Sequence, residues 1–313
     1  MNYKPFQYSG TTNFLRCERY YDQPIAVLGL PVDSGTSYRS GTRHGPAGIR
    51  AASAMLTDGH LAGYDVDLYP WLGDYGDLPL PTGNTQAVLA MIQARMTDLT
   101  RTNTHVVALG GDHLITLPIL RSLKEKHGKI AVVHFDAHCD TWNDHFGETH
   151  GHGTWLRHAI DEDLVQADHT ISIGIRSPAD EDSRHYLVSK GGITLSAYEA
   201  TVVRPRDMAG LIARRVGNMP AYLSLDIDCL DPSQAPGTGT PEIGGLSSIW
   251  LREVMDNMQG ISWIGMDCVE VSPAYDHAEI TSLAAATFCL QYISKIAMAM
   301  DTQLRLKRLS KPA

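Results

Sequence analysis

The chain has 313 residues, 43% of them apolar, and a formal charge of −9 without a dense basic patch; it can bury a large core and is poorly suited to nucleic acid or an anionic membrane surface. Five cysteines, an odd number at this length, argue against a disulfide framework and for a reducing compartment. The opening MNYKPFQY lacks the apolar segment of a secretory leader, and no stretch reads as about eighteen apolar residues in a row, so a cytoplasmic protein with no membrane partner is expected.

Residues 1–24, aromatic and polar without periodicity, read as an N-terminal arm. A first buried strand spans 25–31 and is closed by Pro31. The glycine-rich loop at 32–46 has neither glycine order typical of phosphate-binding loops. Pro46 opens a helix through Met55, and apolar residues recur at helical spacing over 84–100. A second buried strand, 104–111, ends in Gly-Gly-Asp-His; the paired glycines let the chain turn so that His113 projects over the carboxyl end of the sheet, where open α/β folds bind ligands.

A helix over 114–127 leads to the Val-rich run at 131–135, which ends in Asp136, His138 and Asp140. In an extended strand these three share a face, with Ala137 and Cys139 opposite. The polar loop 141–153 precedes a helix at 154–161, a strand at 170–175 and a helix around 211–216. The strand 221–228 places Asp226 and Asp228 on one face, and the loop 232–245, rich in proline and glycine, reads as a fixed wall. A helix at 247–258, a strand at 261–271 with Asp267 and Glu270 on opposite faces, and a final helix at 279–304 follow. The basic end at 305–313 reads as a solvated helix terminus. Strand and helix alternate with no linker or repeat, which predicts one α/β domain over 1–313 with a mainly parallel sheet covered on both faces, a three-layer α-β-α arrangement.

His113, Asp136, His138, Asp140, Asp226 and Asp228 thus fall at the carboxyl ends of separate strands. Cys139, Cys229 and Cys268 are each one position out of phase and read as packing residues. Four carboxylates with two imidazoles suit Mn²⁺ or a similar borderline-hard ion. Two divalent ions cancel the charge of the four aspartates, and two bridging carboxylates give each ion about four protein donors, with room for a shared water whose pKa falls from about 15.7 towards 7.

The segments GGDH at 110–113, DAHCD at 136–140, SLDIDCLDP at 224–232 and DCVEVSP at 267–273 resemble the ureohydrolase family, which includes arginases and agmatinases. GTRHGPAGIR at 41–50, APGTGTP at 235–241 and AYDHAEIT at 274–281 look most like its agmatinase branch, and the resemblance runs from about residue 25 to 300. It implies an arginase-type fold, two Mn²⁺ per subunit with Ni²⁺ or Co²⁺ as substitutes, hydrolysis of a small guanidino substrate to urea and an amine, and a homotrimer or homohexamer. By position, His113, Asp136, Asp140 and Asp226 would hold one ion and Asp136, His138, Asp226 and Asp228 the other. Asp136 and Asp226 would bridge, and Asp140 would also accept a hydrogen bond from the bridging hydroxide. Glu270 matches the carboxylate that grips the planar guanidinium. His152 matches the family's proton-shuttling histidine; His145 and His150 share its loop and titrate in the same range.

The loop after Asp140 carries Asn143, Asp144 and Glu148 without the Asn/Ser-rich pattern of arginases, which disfavours arginine and favours a cationic tail such as agmatine's. Trp142 follows the DAHCD segment directly, and Trp155 stands where relatives commonly carry a proline. Either indole narrows the pocket or packs as core. Trp142, Asn143, His150 and Trp155 are therefore candidate substrate-loop residues, and guanidinobutyrate, guanidinopropionate and compact alkylguanidines are alternatives to agmatine. A non-catalytic partner subunit of an active relative would have eroded ligand positions, and none is eroded here.

Overall fold

The computed structural model describes residues 12–17, 22–56 and 61–309. Its strands are β1 (Ile25–Leu30), β2 (Leu72–Asp77), β3 (His105–Gly110), β4 (Ala131–Phe135), β5 (Ile171–Ile175), β6 (Ile193–Ser196), β7 (Pro220–Asp226) and β8 (Ser262–Val269). All neighbours are parallel, in the order β2-β1-β3-β8-β7-β4-β5-β6. The helices are α1 (Gly45–Ser53), α2 (Thr85–Arg101), α3 (Thr116–His127), α4 (Trp155–Asp161), α5 (Glu181–Ser189), α6 (Ala197–Thr201), α7 (Pro205–Val216), α8 (Ser248–Asn257) and α9 (Ile280–Leu309).

Alternation along the strands divides the interior into two cores. Val107 and Leu109 of β3 join residues of α1, α7, α8 and α9 on one side, whereas Val106 and Ala108 join α2, α3 and α4 on the other. Both faces need apolar side chains, which is why β1 and β3 read as near-continuous apolar runs. The three-layer α-β-α arrangement is as expected. Local signals act where they were read: Pro46 lies in the first turn of α1, and the Asn84 side chain caps α2 by accepting from the Ala87 N–H at 3.0 Å.

Four elements were not anticipated. β2 carries the buried Asp74, bound by Arg50 at 2.7 and 3.0 Å, so its pattern is polar where an apolar run was sought. β6 is a short, half-buried strand at the other edge, and α5 and α6 flank it. The segment Ile280–Lys307 of α9 is long and apolar enough to cross a membrane, although Thr287, Gln291 and Lys295 interrupt its apolar residues and 61% of its most apolar window is buried within the fold. Phe288, Ile293 and Ala297 of α9 lie in the first core.

Part of the expected N-terminal arm is described. Phe14 is buried and its N–H donates to Asp74 Oδ2 at 2.7 Å. Residues 1–11 and 18–21 lie outside the described residues, as do 310–313 of the basic end; Arg305, Leu306 and Lys307 are exposed on α9.

Candidate functional site

The strands β3, β8, β7 and β4 are consecutive in the sheet, so their carboxyl ends bring the GGDH, Glu270, Asp226/Asp228 and DAHCD segments to one place. The route differs from simple strand alternation. β4 stops at Phe135, and Asp136 to Asp140 form a tight irregular turn. Asp136 Oδ1 accepts from the His138 N–H at 2.5 Å, and Asp228 Oδ1 accepts from the Ala137 N–H at 3.1 Å. Asp140 adopts a left-handed backbone, φ 53°. Likewise β7 ends at Asp226, and Asp228 sits in the following 3-10 turn with its N–H on Asp226 Oδ1 at 2.8 Å. Glu270 lies beyond β8 with φ 63°, its N–H on the Gly111 carbonyl at 2.9 Å. Carboxylates accepting from nearby backbone N–H groups, rather than the pleat, aim these side chains.

His113 Nδ1 is surrounded by Asp136 Oδ2 at 3.0 Å, Asp140 Oδ2 at 3.0 Å and Asp226 Oδ2 at 3.1 Å. It is buried and makes no hydrogen bond with any of them. The other ring nitrogen is engaged: Nε2 lies 2.8 Å from Ser224 Oγ, whose hydroxyl donates to Asp267 Oδ1 at 2.8 Å. An imidazole fixed through one nitrogen, with the other among three carboxylate oxygens, is the donor arrangement of a cation ligand. A second group adjoins it, with His138 Nδ1 3.2 Å from Asp136 Oδ1 and 3.1 Å from Asp228 Oδ2. Asp136 belongs to both.

Charge points the same way. Burial, then the charges of Asp228 and Asp136, push the Asp226 carboxyl well above its ordinary range. Burial opposes protonation of His113, yet Asp140 and its neighbours hold its pKa well above the ordinary imidazole value. A divalent cation is the charge that relieves such a cluster, so the residues present fit a metal.

Three contributors were not read from the sequence. His134 contacts Asp136 Oδ2 through Nε2 at 2.8 Å and Ser172 Oγ through Nδ1 at 3.0 Å. A lone His inside a Val-rich strand, two positions before Asp136, was the available signal. Asp112 accepts from the Gly35 N–H at 2.7 Å, and burial, then Glu270, push its pKa up to about 6. Asp267 accepts from Ser224, from Thr116 at 2.7 Å and from Tyr222 at 3.0 Å, and so anchors the chain of bonds behind His113.

Glu270 Oε1 accepts from the His113 N–H and lies against His152 Nδ1, both at 2.9 Å, while the buried Oε2 has no partner among the described residues. His152 Nε2 is 2.8 Å from Ser37 Oγ, and the His152 N–H donates to the Gly35 carbonyl at 3.1 Å. The glycine-rich loop at 32–46 thus seats His152. Burial lowers the His152 pKa, and Glu270 outweighs it, leaving the group above its ordinary value.

A cavity of about 600 Å³ opens above these groups, with His113, His138, Asp140, His152 and Asp226 in its lining. Trp142 stacks on His145 with centroids 5.6 Å apart, and His145 on Phe146 at 5.3 Å; all three line the cavity. Tyr38, Arg39, Asp144 and Glu242 line it as well. Of the candidate loop residues only Trp142 does so. His150 stacks on His158 at 4.6 Å and lines a separate surface cleft. Asn143 is exposed outside the cavity lining, and Trp155 is fully buried beneath the site.

The sequence model of the Arginase family matches residues 23–294. An agmatinase of Serratia proteamaculans is 42% identical over 275 residues, 87% of either chain. A guanidinobutyrase of Pseudomonas aeruginosa is 41% identical over 274 residues, 86% of this chain and 85% of its own. Among solved structures, a hypothetical agmatinase from Burkholderia thailandensis superposes with a TM-score of 0.88 at 36% identity, covering 94% of this chain and 93% of its own. The proclavaminate amidino hydrolase of Streptomyces clavuligerus gives 0.89 at 34% identity, with 94% and 99% covered. Because the matched span contains every strand end described above, and the fold agrees over nearly its whole length, the chain belongs to the arginase family as an agmatinase-like ureohydrolase.

Proposed function

We propose that the protein is a binuclear-manganese amidinohydrolase that converts agmatine to putrescine and urea. The observation that carries this reading is the unbonded His113 Nδ1 among three carboxylate oxygens, beside the unbonded Glu270 Oε2. His113, Asp136, Asp140 and Asp226 would hold one ion and Asp136, His138, Asp226 and Asp228 the other. When bound, two Mn²⁺ supply a water of lowered pKa and stabilise negative charge at the attacked carbon.

The chain's own residues do the rest. Glu270 Oε2 accepts a guanidinium N–H, and the bonds of Oε1 to His113 N–H and His152 keep that carboxylate from turning away. His152 is held at both ring nitrogens and stays protonated above the ordinary imidazole value, so it delivers a proton to the leaving amine. Trp142, His145 and Phe146 flank the aliphatic chain, and Asp144 and Glu242 meet the distal ammonium. The same reading takes the protein as one domain over 1–313 that works as a homotrimer or homohexamer in the cytoplasm.

One feature favours a second substrate, 4-guanidinobutyrate. Arg39 lines the cavity and lies over the rings of Tyr38 at 5.3 Å and Tyr275 at 5.0 Å, a cation available to a carboxylate tail. Kinetics on both compounds after Mn²⁺ reconstitution decide. Agmatine should lead in kcat/KM by about tenfold, the size of one charge-assisted contact. A lead for guanidinobutyrate rejects agmatine, and no urea from either rejects the reading.

A further inference from the structure

We propose that Trp155 is a positioning residue of the metal centre, clamping Asp140 in the conformation that turns its carboxylate toward His113. The proposal rests on the metal reading above. The Trp155 indole N–H donates to Asp140 Oδ2 at 2.6 Å, and that same oxygen lies 3.0 Å from His113 Nδ1. The next two residues of α4 hold the other end of Asp140: its carbonyl accepts from the Leu156 N–H at 3.1 Å and the Arg157 N–H at 3.3 Å. One turn of helix therefore bonds both the backbone and the side chain of a single residue.

That residue needs the support. Asp140 is a non-glycine residue at φ 53°, a region L side chains adopt only at some cost and keep when their surroundings over-determine them. The indole also touches the rest of the centre. Its ring lies 4.9 Å from the His113 ring at 32° and 5.2 Å, edge-on, from His134, which is itself bonded to Asp136 Oδ2. Trp155 does not line the cavity, so it neither narrows the pocket nor packs on a substrate chain. A tryptophan serving only as core would contribute its ring; here the N–H is aimed at a candidate ligand oxygen.

Outer partners of metal ligands typically change metal affinity or activity by about 10–100-fold when lost. Trp155→Phe keeps an aromatic ring against His113 and His134 and deletes the donor. Benzothienylalanine incorporated at position 155 replaces the N–H by sulfur in a ring of the same shape, and carries the test where Trp155→Phe does not fold. Calorimetric titration of metal-free wild type and both variants with MnCl₂ should show one of two binding events weakened about 10–100-fold and the other unchanged. On the loaded proteins kcat should fall with KM for agmatine unchanged. Two wild-type affinities in the folded variants overturn the clamp and leave the metal reading standing. A wild-type protein that binds no Mn²⁺ overturns both.

Discussion

Glu270 commits Oε1 to the His113 N–H and to His152, and leaves Oε2 buried without a partner among the described residues. If that oxygen meets the guanidinium, Glu270→Gln should lower kcat/KM by about 10–100-fold, the ~1.5–3 kcal/mol of a hydrogen bond to a charged group, with metal content unchanged. Wild-type kcat/KM in that variant would remove Glu270 from substrate binding. Away from the site, His105 bonds Tyr292 at 2.8 Å through Nε2, and burial, then the nearby His127, lower its pKa to about 4. The unfolded chain binds this proton near the ordinary value of about 6.5, so stability from neutral His105 is present above pH 6.5 and lost as pH falls through 4. Urea unfolding of wild type and His105→Gln should show the wild-type advantage shrinking across that window, by up to ~3 kcal/mol; a constant difference would contradict it. The six ligand candidates were legible because aspartates and histidines clustered at strand ends are conspicuous. His134, Asp112 and Asp267 were not, since each acts through a partner far along the chain: Ser172, Gly35 and Ser224.

α2, α3 and α8 start and end close to where the sequence places them, because burial of one face and the caps act locally, whereas α9, apolar through its middle, runs on to Leu309, past its expected end at 304. β2 and β6 escaped because edge strands need no continuous apolar run, and β2 stabilises a buried Asp74 with Arg50 instead. Strand alternation would put Asp136, His138 and Asp140 on one face; the structure brings them together instead through a turn with a left-handed Asp140. The loop that follows is ordered by its own contacts, with reciprocal backbone bonds between His145 and Glu148 at 2.8 and 3.0 Å and the Trp142 N–H on the Gly153 carbonyl at 3.2 Å. Gly153 makes room for the aromatic wall, since a Cβ there would lie 3.0 Å from both Trp142 and His145. Gly153→Ala should push those rings toward the cavity, lower stability by the ~1–3 kcal/mol typical of overpacking and lower kcat/KM for agmatine. Unchanged kinetics would mean the wall does not touch substrate.

Across the whole molecule, four adjacent central strands, each buried on both faces, hold a cluster of aspartates that repel one another. The two cores position the cluster, and a bound cation should stabilise the folded state in return. Metal-free protein should therefore melt several degrees below the Mn²⁺-loaded form, and equal melting temperatures would argue against a buried centre. The aspartate and histidine positions were readable from one sequence. The substrate was not, because Arg39, Asp144 and Glu242 come to the cavity from three separate loops. The most direct test of the account is stepwise Mn²⁺ loading of metal-free protein, with urea release from agmatine measured at each stoichiometry. It predicts that activity appears with the second ion and saturates at two per chain; saturation at one ion, or two bound ions with no urea from agmatine, would contradict it.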